Sequence, residues 1–252
     1  MQLPETYWIR LADTPLWIQP KSPKLRTFFQ DYIIQPTPQD KQAFQALTGG
    51  DQPLTVSREE LEQEARWDPR PFPAAYLESL ALYRKLCHLL LLSDILLFHC
   101  SALEVEGKAI LFTAKSGTGK STHARLWRER FGPAVTMIND DKPLLKVEPH
   151  EVRVYGTPYA GKEGLHTNTS APVAAIVLLR QGQDNHIQRI SMQQAYPVLF
   201  QQSYRRAGGE GLPHTLDLVG KLAALPVYTL DCTISQEAVE LVYERLKGDG
   251  YL

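Results

Sequence analysis

The chain has 252 residues, 43% of them hydrophobic and 22% charged, and its 27 basic side chains set against 28 acidic ones leave a formal net charge of −1. At about 150 residues per domain, that length suits one good-sized domain or one domain with a smaller companion. Near-neutral charge excludes the uniform positive field on which non-specific nucleic-acid binding and attachment to an acidic membrane rely. The three cysteines, Cys87, Cys100 and Cys232, are too widely spaced for a Cys-x-x-Cys metal site or a disulfide framework, and fit a reducing compartment. Met1 to Arg10 lacks the basic, apolar, small-residue order of a secretory signal. The longest greasy stretch, Leu86 to Phe98, is broken by His88, Ser93 and Asp94 and falls short of the roughly 20 residues a membrane helix needs. A cytoplasmic protein that contacts neither nucleic acid nor membrane is expected.

Residues 1–75 are proline-rich, with strand-like runs at Tyr7 to Leu11, Leu16 to Gln19 and Phe28 to Ile34 between turn residues. Ser57 followed by Glu60 is the pattern that caps a helix, which is expected within Leu54 to Arg66. After Pro69, Pro71 and Pro73, the residues Tyr76, Leu80, Tyr83, Cys87 and Leu90 step by four and three and predict a connecting helix over 76–95. The period then changes to that of strands: Leu96 to Val105, a turn at Glu106-Gly107-Lys108, and Ala109 to Thr113. A glycine loop leads into a helix over Thr122 to Phe131, stopped by Gly132-Pro133, and Val135 to Ile138 forms a strand ending in Asn139-Asp140-Asp141. Beyond lie a hairpin (Leu144 to Val147, Val152 to Tyr155), a loop from Gly156 to Gly164, and the continuous apolar run Pro172 to Leu179, which reads as a central strand. The tail alternates helices (Ser191 to Arg205, Leu216 to Ala224, Gln236 to Lys247) with a strand, Val227 to Leu230. The expected fold is α/β: a phosphate-loop mixed sheet flanked by helices over 76–252, with a smaller N-terminal α+β region over 1–75.

The loop Ala114-Lys115-Ser116-Gly117-Thr118-Gly119-Lys120-Ser121 carries the chemistry. Glycines let the chain turn with its N–H groups inward, at the positive end of the following helix, which makes bare backbone an anion receptor. Ser116, Gly117, Thr118, Gly119, Lys120, Ser121 and Thr122 are the candidate nucleotide-binding residues, with Lys120 a mobile charge for the outer phosphates and the Ser121 hydroxyl placed for Mg²⁺. The usual pattern begins with glycine; here that position is Ala114. Asp140 and Asp141 supply carboxylates at a strand end, one to hold metal and the other to take a proton. His99, alternating with Phe98 and Cys100 ahead of the loop strand, is a candidate donor or proton relay. Lys162 lies in the glycine-hinged loop and Arg180 at the end of the central strand, where open α/β sheets place ligands; both are candidate substrate contacts. Arg125, Arg128, Arg130, Arg205 and Arg206 read as solvated faces and helix-end charges.

From Leu96 to Pro143, the histidine, the Ser-Gly-Thr-Gly-Lys-Ser loop and the Asp140-Asp141 pair together resemble the HPr kinase/phosphorylase catalytic superfamily, related to ATP-dependent phosphoenolpyruvate carboxykinase. Asn139 to Pro143 with Gly156-Thr157-Pro158 looks like its stand-alone bacterial members, some of which resemble components of peptide-modifying systems. The resemblance implies that Lys120 and Ser121 handle nucleotide phosphates and Mg²⁺, that Asp140 is the acid/base, that Asp141 supports metal, and that His99 approaches the phosphate. The family's second signature, an acidic residue before an Arg-Gly-Leu-Gly type segment, is absent where this chain has Tyr155 to Lys162. An ATP- and Mg²⁺-dependent kinase acting on a hydroxyl, a serine of a protein or peptide or a small molecule, is expected, as a monomer or homo-oligomer. The alternatives are phosphoryl transfer to a small carboxylate, as in carboxykinases, and a nucleotide-responsive peptide-binding module without chemistry.

Overall fold

The computed structural model describes residues 5–67, 70–115, 117–205 and 208–252, and divides into two compact units, Met1–Ser93 and Asp94–Leu252. In the first, β1 (Tyr7–Leu11) and β2 (Thr14–Ile18) form a hairpin whose two-residue turn, Ala12 and Asp13, has φ of 47° and 63°. Positive φ at both turn residues matches the right-handed twist of the strands. Lys24–Phe28 (α1) and a 3-10 turn at Gln30–Tyr32 occupy most of the stretch expected as a strand, leaving only Ile33–Ile34 (β3) to pair with β1. Phe29 and Tyr32 are both buried and stand three residues apart, a spacing that a helical turn places on one side and a strand does not. A helix without a sequence-based expectation, α2 (Pro38–Thr48), is capped reciprocally by Thr37 and Asp40 and ends at Gly49, φ 68°. Then come α3 (Arg58–Trp67), where Ser57 and Glu60 make the reciprocal capping bonds, and α4 (Ala74–Leu91). The buried stripe of α4 runs through Ser79, Leu82, Leu86 and Leu90, with Tyr83 and Cys87 beside it, so Tyr76 falls on the exposed side.

The second unit is a nine-stranded mixed sheet flanked by helices. Its elements are β4 (Ile95–Leu97), β5 (Ser101–Val105), β6 (Lys108–Thr113), α5 (Lys120–Phe131), β7 (Val135–Asn139), β8 (Leu144–Val147), β9 (Val152–Tyr155), β10 (Ser170–Gln181), β11 (His186–Arg189), α6 (Met192–Gln202), α7 (Leu212–Ala223), β12 (Val227–Cys232) and α8 (Gln236–Gly248). The stretch expected as one strand, Leu96 to Val105, is broken. Its first part pairs with β8 and its second with β6 and β7, so Phe98 to Cys100 form the crossing between two ladders. The long β10 serves three ladders: Ser170 to Pro172 pair antiparallel with β9, and the remainder runs parallel between β6 and β12. Its run from Ala174 to Leu179 is buried throughout, as a strand covered on both faces must be. On one face Phe112, Val177 and Leu230 pack with Trp127 of α5 and Val242 of α8.

This strand order decides where chemistry is possible. β5 is antiparallel to β6 and to β7, so β7, β6, β10 and β12 all point the same way and their carboxyl ends share one edge. The glycine loop leaves that edge from β6, and Asp140 and Asp141 leave it from β7. Open α/β sheets bind ligands outside such an edge. Among the described residues, no helix is long and apolar enough to cross a membrane.

Candidate functional site

The loop is anchored from below. Phe112, His123 and Trp127 form a buried aromatic cluster with the His123 ring edge to face with Phe112 at 4.8 Å, and Trp127 Nε1 donates to His123 Nε2 at 3.1 Å. Burial lowers the His123 pKa to about 4, so the ring is neutral near pH 7. Above this base, Ala114 is buried and outside the positive-φ region, which explains why alanine is tolerated at the first loop position. Gly117 and Gly119 have φ of 82° and 112°, so the turn into α5 does demand glycine at those two places. Ser116 lies outside the described residues. Lys120 opens α5, and burial pushes its pKa down while the Asp141 carboxylate pushes it back up. Among the described residues its ammonium makes no hydrogen bond. Ser121 is exposed and Thr122 half-buried, on the first turn.

β7 ends at Asn139, whose side chain fixes the turn carrying the two aspartates. Its Oδ1 accepts from the N–H groups of Asp141 and Lys142 at 2.8 and 2.7 Å, while its Nδ2 donates to the Thr157 carbonyl at 2.9 Å. Because the strand has ended, the two aspartates are free of its alternation and take different surroundings. Asp140 is buried, and Gly161 N–H donates to its Oδ1; among the described residues Oδ2 has no hydrogen-bond partner. Burial raises its pKa, the Gly161 N–H opposes this, and the neighbouring Asp141 and Glu163 charges add to the rise. For Asp141 burial pulls upward too, but His99 Nε2 at 2.8 Å from Oδ1 and the Lys142 ammonium on Oδ2 outweigh it and bring the pKa down to about 2. Two adjacent carboxyls are thus driven in opposite directions, one towards holding a proton and one towards permanent charge.

His99 belongs to the crossing between β4 and β5, not to a strand. Its position is fixed three times: its N–H donates to the Gln202 carbonyl at 2.9 Å, its carbonyl accepts from Thr113 Oγ1 at 2.8 Å, and its Nδ1 lies 3.1 Å from Gln202 Oε1. Sequence reasoning missed Asn139, Gly161 and Gln202 as members of this cluster. The Asn-Asp-Asp run at a strand end was the available signal for the first, since asparagine commonly bonds the backbone two residues on. For Gly161 and Gln202 no local signal exists, because both arrive from distant segments. Gly156, at the start of the same loop, admits no side chain: a Cβ there would stand 1.9 Å from the Thr167 carbonyl.

Among the described residues, Lys162 and Arg180 make no hydrogen bond or ion pair with Asp140 or Asp141, although Lys162 directly follows Gly161, whose N–H donates to Asp140. Lys162 is exposed in the loop beside Glu163, whose carboxylate sits 3.7 Å from Arg128. Arg180 pairs with Asp231 at 2.9 Å, both part-exposed, and lines a cavity of about 780 Å³ that opens beside Ala114, Lys115 and Thr118 and reaches Gln194 of α6. Arg125 and Arg130 pair with Glu129 and Glu240 on the surface. Arg206 is outside the described residues.

The donor set suits a nucleotide phosphate with a hard cation. A turn built on two positive-φ glycines at the N-terminus of α5 and an ammonium without a hydrogen bond suit an anion, although Thr118 N–H, between the glycines, donates to the Lys115 carbonyl at 3.2 Å; the Ser121 hydroxyl and the aspartates are oxygen donors. Among the described residues no cluster of three metal-ligating side chains exists. Mg²⁺ needs none, since it takes one or two protein oxygens and completes its shell with water and phosphate.

No family model matches the chain, and no curated protein matches it. Among solved structures, the HPr(Ser) kinase/phosphatase from Coxiella burnetii is similar over 62% of this chain and 93% of that one, at 13% identity and a TM-score of 0.35, a distant structural likeness.

Proposed function

We propose that the protein is an ATP- and Mg²⁺-dependent kinase that moves the γ-phosphoryl group to a hydroxyl, the acceptor being a serine of a protein or peptide. The observation that carries this reading is the divergence of Asp140 and Asp141 on the sheet edge that also bears the loop. A module that only bound nucleotide would gain nothing from a buried carboxyl with a raised pKa and an unbonded oxygen.

The loop amides and Lys120 would hold and neutralise the phosphates; Ser121 and Asp141 would supply oxygens to Mg²⁺, which would spread the charge developing on the transferring group. Asp140 Oδ2 accepts the proton of the acceptor hydroxyl as its oxygen forms the new bond to phosphorus and the bond to the bridging oxygen of ADP breaks. Asp141 stays ionised throughout and fixes His99 through its Nε2, while Gln202 engages Nδ1. The raised pKa makes Asp140 a better base for this step than an ordinary carboxylate, because basicity rises with pKa.

Incubation of the protein with γ-labelled ATP, Mg²⁺ and a cell extract is expected to label a macromolecular acceptor, and Lys120→Ala and Asp140→Asn are each expected to remove the label. Transfer that survives both substitutions would falsify the reading.

A further inference from the structure

We infer that the nucleoside end of a bound nucleoside triphosphate lies over the carboxyl ends of β10 and β12, against Ile234. This rests on the loop being a triphosphate site, as proposed above. The strand order gives the direction. β7, with its carboxylates, lies on one side of the loop strand β6, while β10 and β12 lie on the other. A triphosphate whose terminal phosphorus meets Asp140 therefore carries its nucleoside away from β7, past Gly119 and Thr122 and over β10 and β12.

A cavity of about 580 Å³ occupies that place, lined by Gly119 and Thr122 of the loop and first turn and by Gly182, Thr233 and Ile234 beyond the two strand ends. Among the described residues no ionised side chain lines it; its walls are aliphatic, hydroxyl, thiol and amide groups together with the neutral His123. That suits an uncharged heteroaromatic ring and a ribose, whose burial is driven by apolar contact with a few polar groups for orientation. The larger cavity beside the start of the loop carries Lys115 and Arg180, so its chemistry suits a charged partner better than a base.

Ile234 is the decisive residue. It is 78% exposed, the most exposed large hydrophobic among the described residues, and it stands at the mouth of this cavity. The turn presenting it is not slack. Asn185 Oδ1 accepts from Thr233 N–H at 2.9 Å and from Thr233 Oγ1 at 3.2 Å, and Asn185 Nδ2 donates to Ser235 Oγ at 3.1 Å. Ser235 in turn caps α8. An aliphatic side chain pinned outward at a cavity mouth is preorganised to cover one face of a planar ring. Gly182, on the opposite strand end, leaves a side chain little room: a Cβ would lie 3.0 Å from the Asp184 carbonyl and 3.2 Å from the Asp231 Cβ, so the cavity wall there is bare backbone.

The test is binding of Mg²⁺·ATP and of Mg²⁺·tripolyphosphate to the full chain and to Ile234→Ala and Ile234→Glu, surface changes that leave the core untouched. ATP is expected to bind about fivefold more weakly to the alanine variant and about tenfold or more to the glutamate variant, with tripolyphosphate unchanged in both. ATP binding that requires Lys120 yet ignores Ile234 overturns the nucleoside placement alone. ATP binding indifferent to Lys120→Ala overturns the loop itself, and this inference with it. Cys232 gives an independent readout, because it lines the same cavity while Cys87 and Cys100 are buried. Its alkylation by N-ethylmaleimide is expected to slow with ATP and not with tripolyphosphate; equal rates with both ligands overturn the placement.

Discussion

Lys120 and His123 sit three residues apart on α5, and the environments they occupy are opposite. His123 faces inward, neutral, with its Nε2 accepting from Trp127 and its ring in edge-to-face contact with Phe112. Lys120 faces the site, half-buried and charged, with no hydrogen bond among the described residues. The same contrast recurs across the edge, where Asp141 is doubly paired while Asp140 keeps an oxygen unbonded and a raised pKa. One set of groups is satisfied and stabilises the fold; the other is held in readiness at a cost in stability. Functional sites commonly carry this kind of stored cost.

The comparison breaks most sharply at the site itself. Lys120→Ala and Asp140→Asn are each expected to lower phosphoryl transfer by about a thousandfold, read as loss of label from γ-labelled ATP, with circular dichroism unchanged. On the packed side, Trp127→Ala should destabilise by about 3–5 kcal/mol, read as a lower midpoint in urea, because it leaves a cavity and an unbonded His123 nitrogen.

Acid should act through His123. Its folded pKa of about 4 lies below the unfolded value, so the unfolded chain binds more protons between pH 6.5 and 4 and stability falls as pH drops through that window, by about 3 kcal/mol in all. His123→Gln should flatten that part of the pH profile, measured by urea unfolding at each pH; a profile as steep as before would refute the assignment. Asp140→Asn should melt about 2 °C or more above the parent in the absence of any ligand. The amide relieves the buried charge and its repulsion from Asp141 while still accepting from Gly161. Smallest of all, Arg125→Ala should change stability by less than about 0.5 kcal/mol, since its pairing with Glu129 is exposed.

The α/β class was legible because the loop, its flanking strand and helix, and the Asp-Asp strand end all lie within one short stretch of chain. The break at Phe98 was not, because Leu96 to Val105 reads as one apolar run and only the ladder partners, β8 on one side and β6 and β7 on the other, divide it. The α2 helix escaped notice for a local reason: among its eleven residues only Asp40 and Phe44 are buried, too few for a periodic stripe. The edge strand β11 has one buried side chain, Ile187, and so little alternation to read. Lys162 and Arg180 were chosen for their position along the chain, and neither approaches the carboxylates through any contact among the described residues. Gln202 and Gly161 contribute through a side-chain amide and a backbone N–H delivered by tertiary folding.

The twelve-residue β10 has a consequence for how such a protein can diversify. Being locked into three ladders at once, it cannot lose or gain a residue within Ala175 to Leu179 without exchanging the side chains packed on its two covered faces. The segments at its two ends carry no such constraint: the loop entering it brings Gly161 to Asp140, and the turn leaving it brings Gly182 to the opposite cavity. The surroundings of Asp140 and the cavity beside Ile234 can therefore change separately, by lengthening or recomposing one flank while the shared beam between them stays as it is.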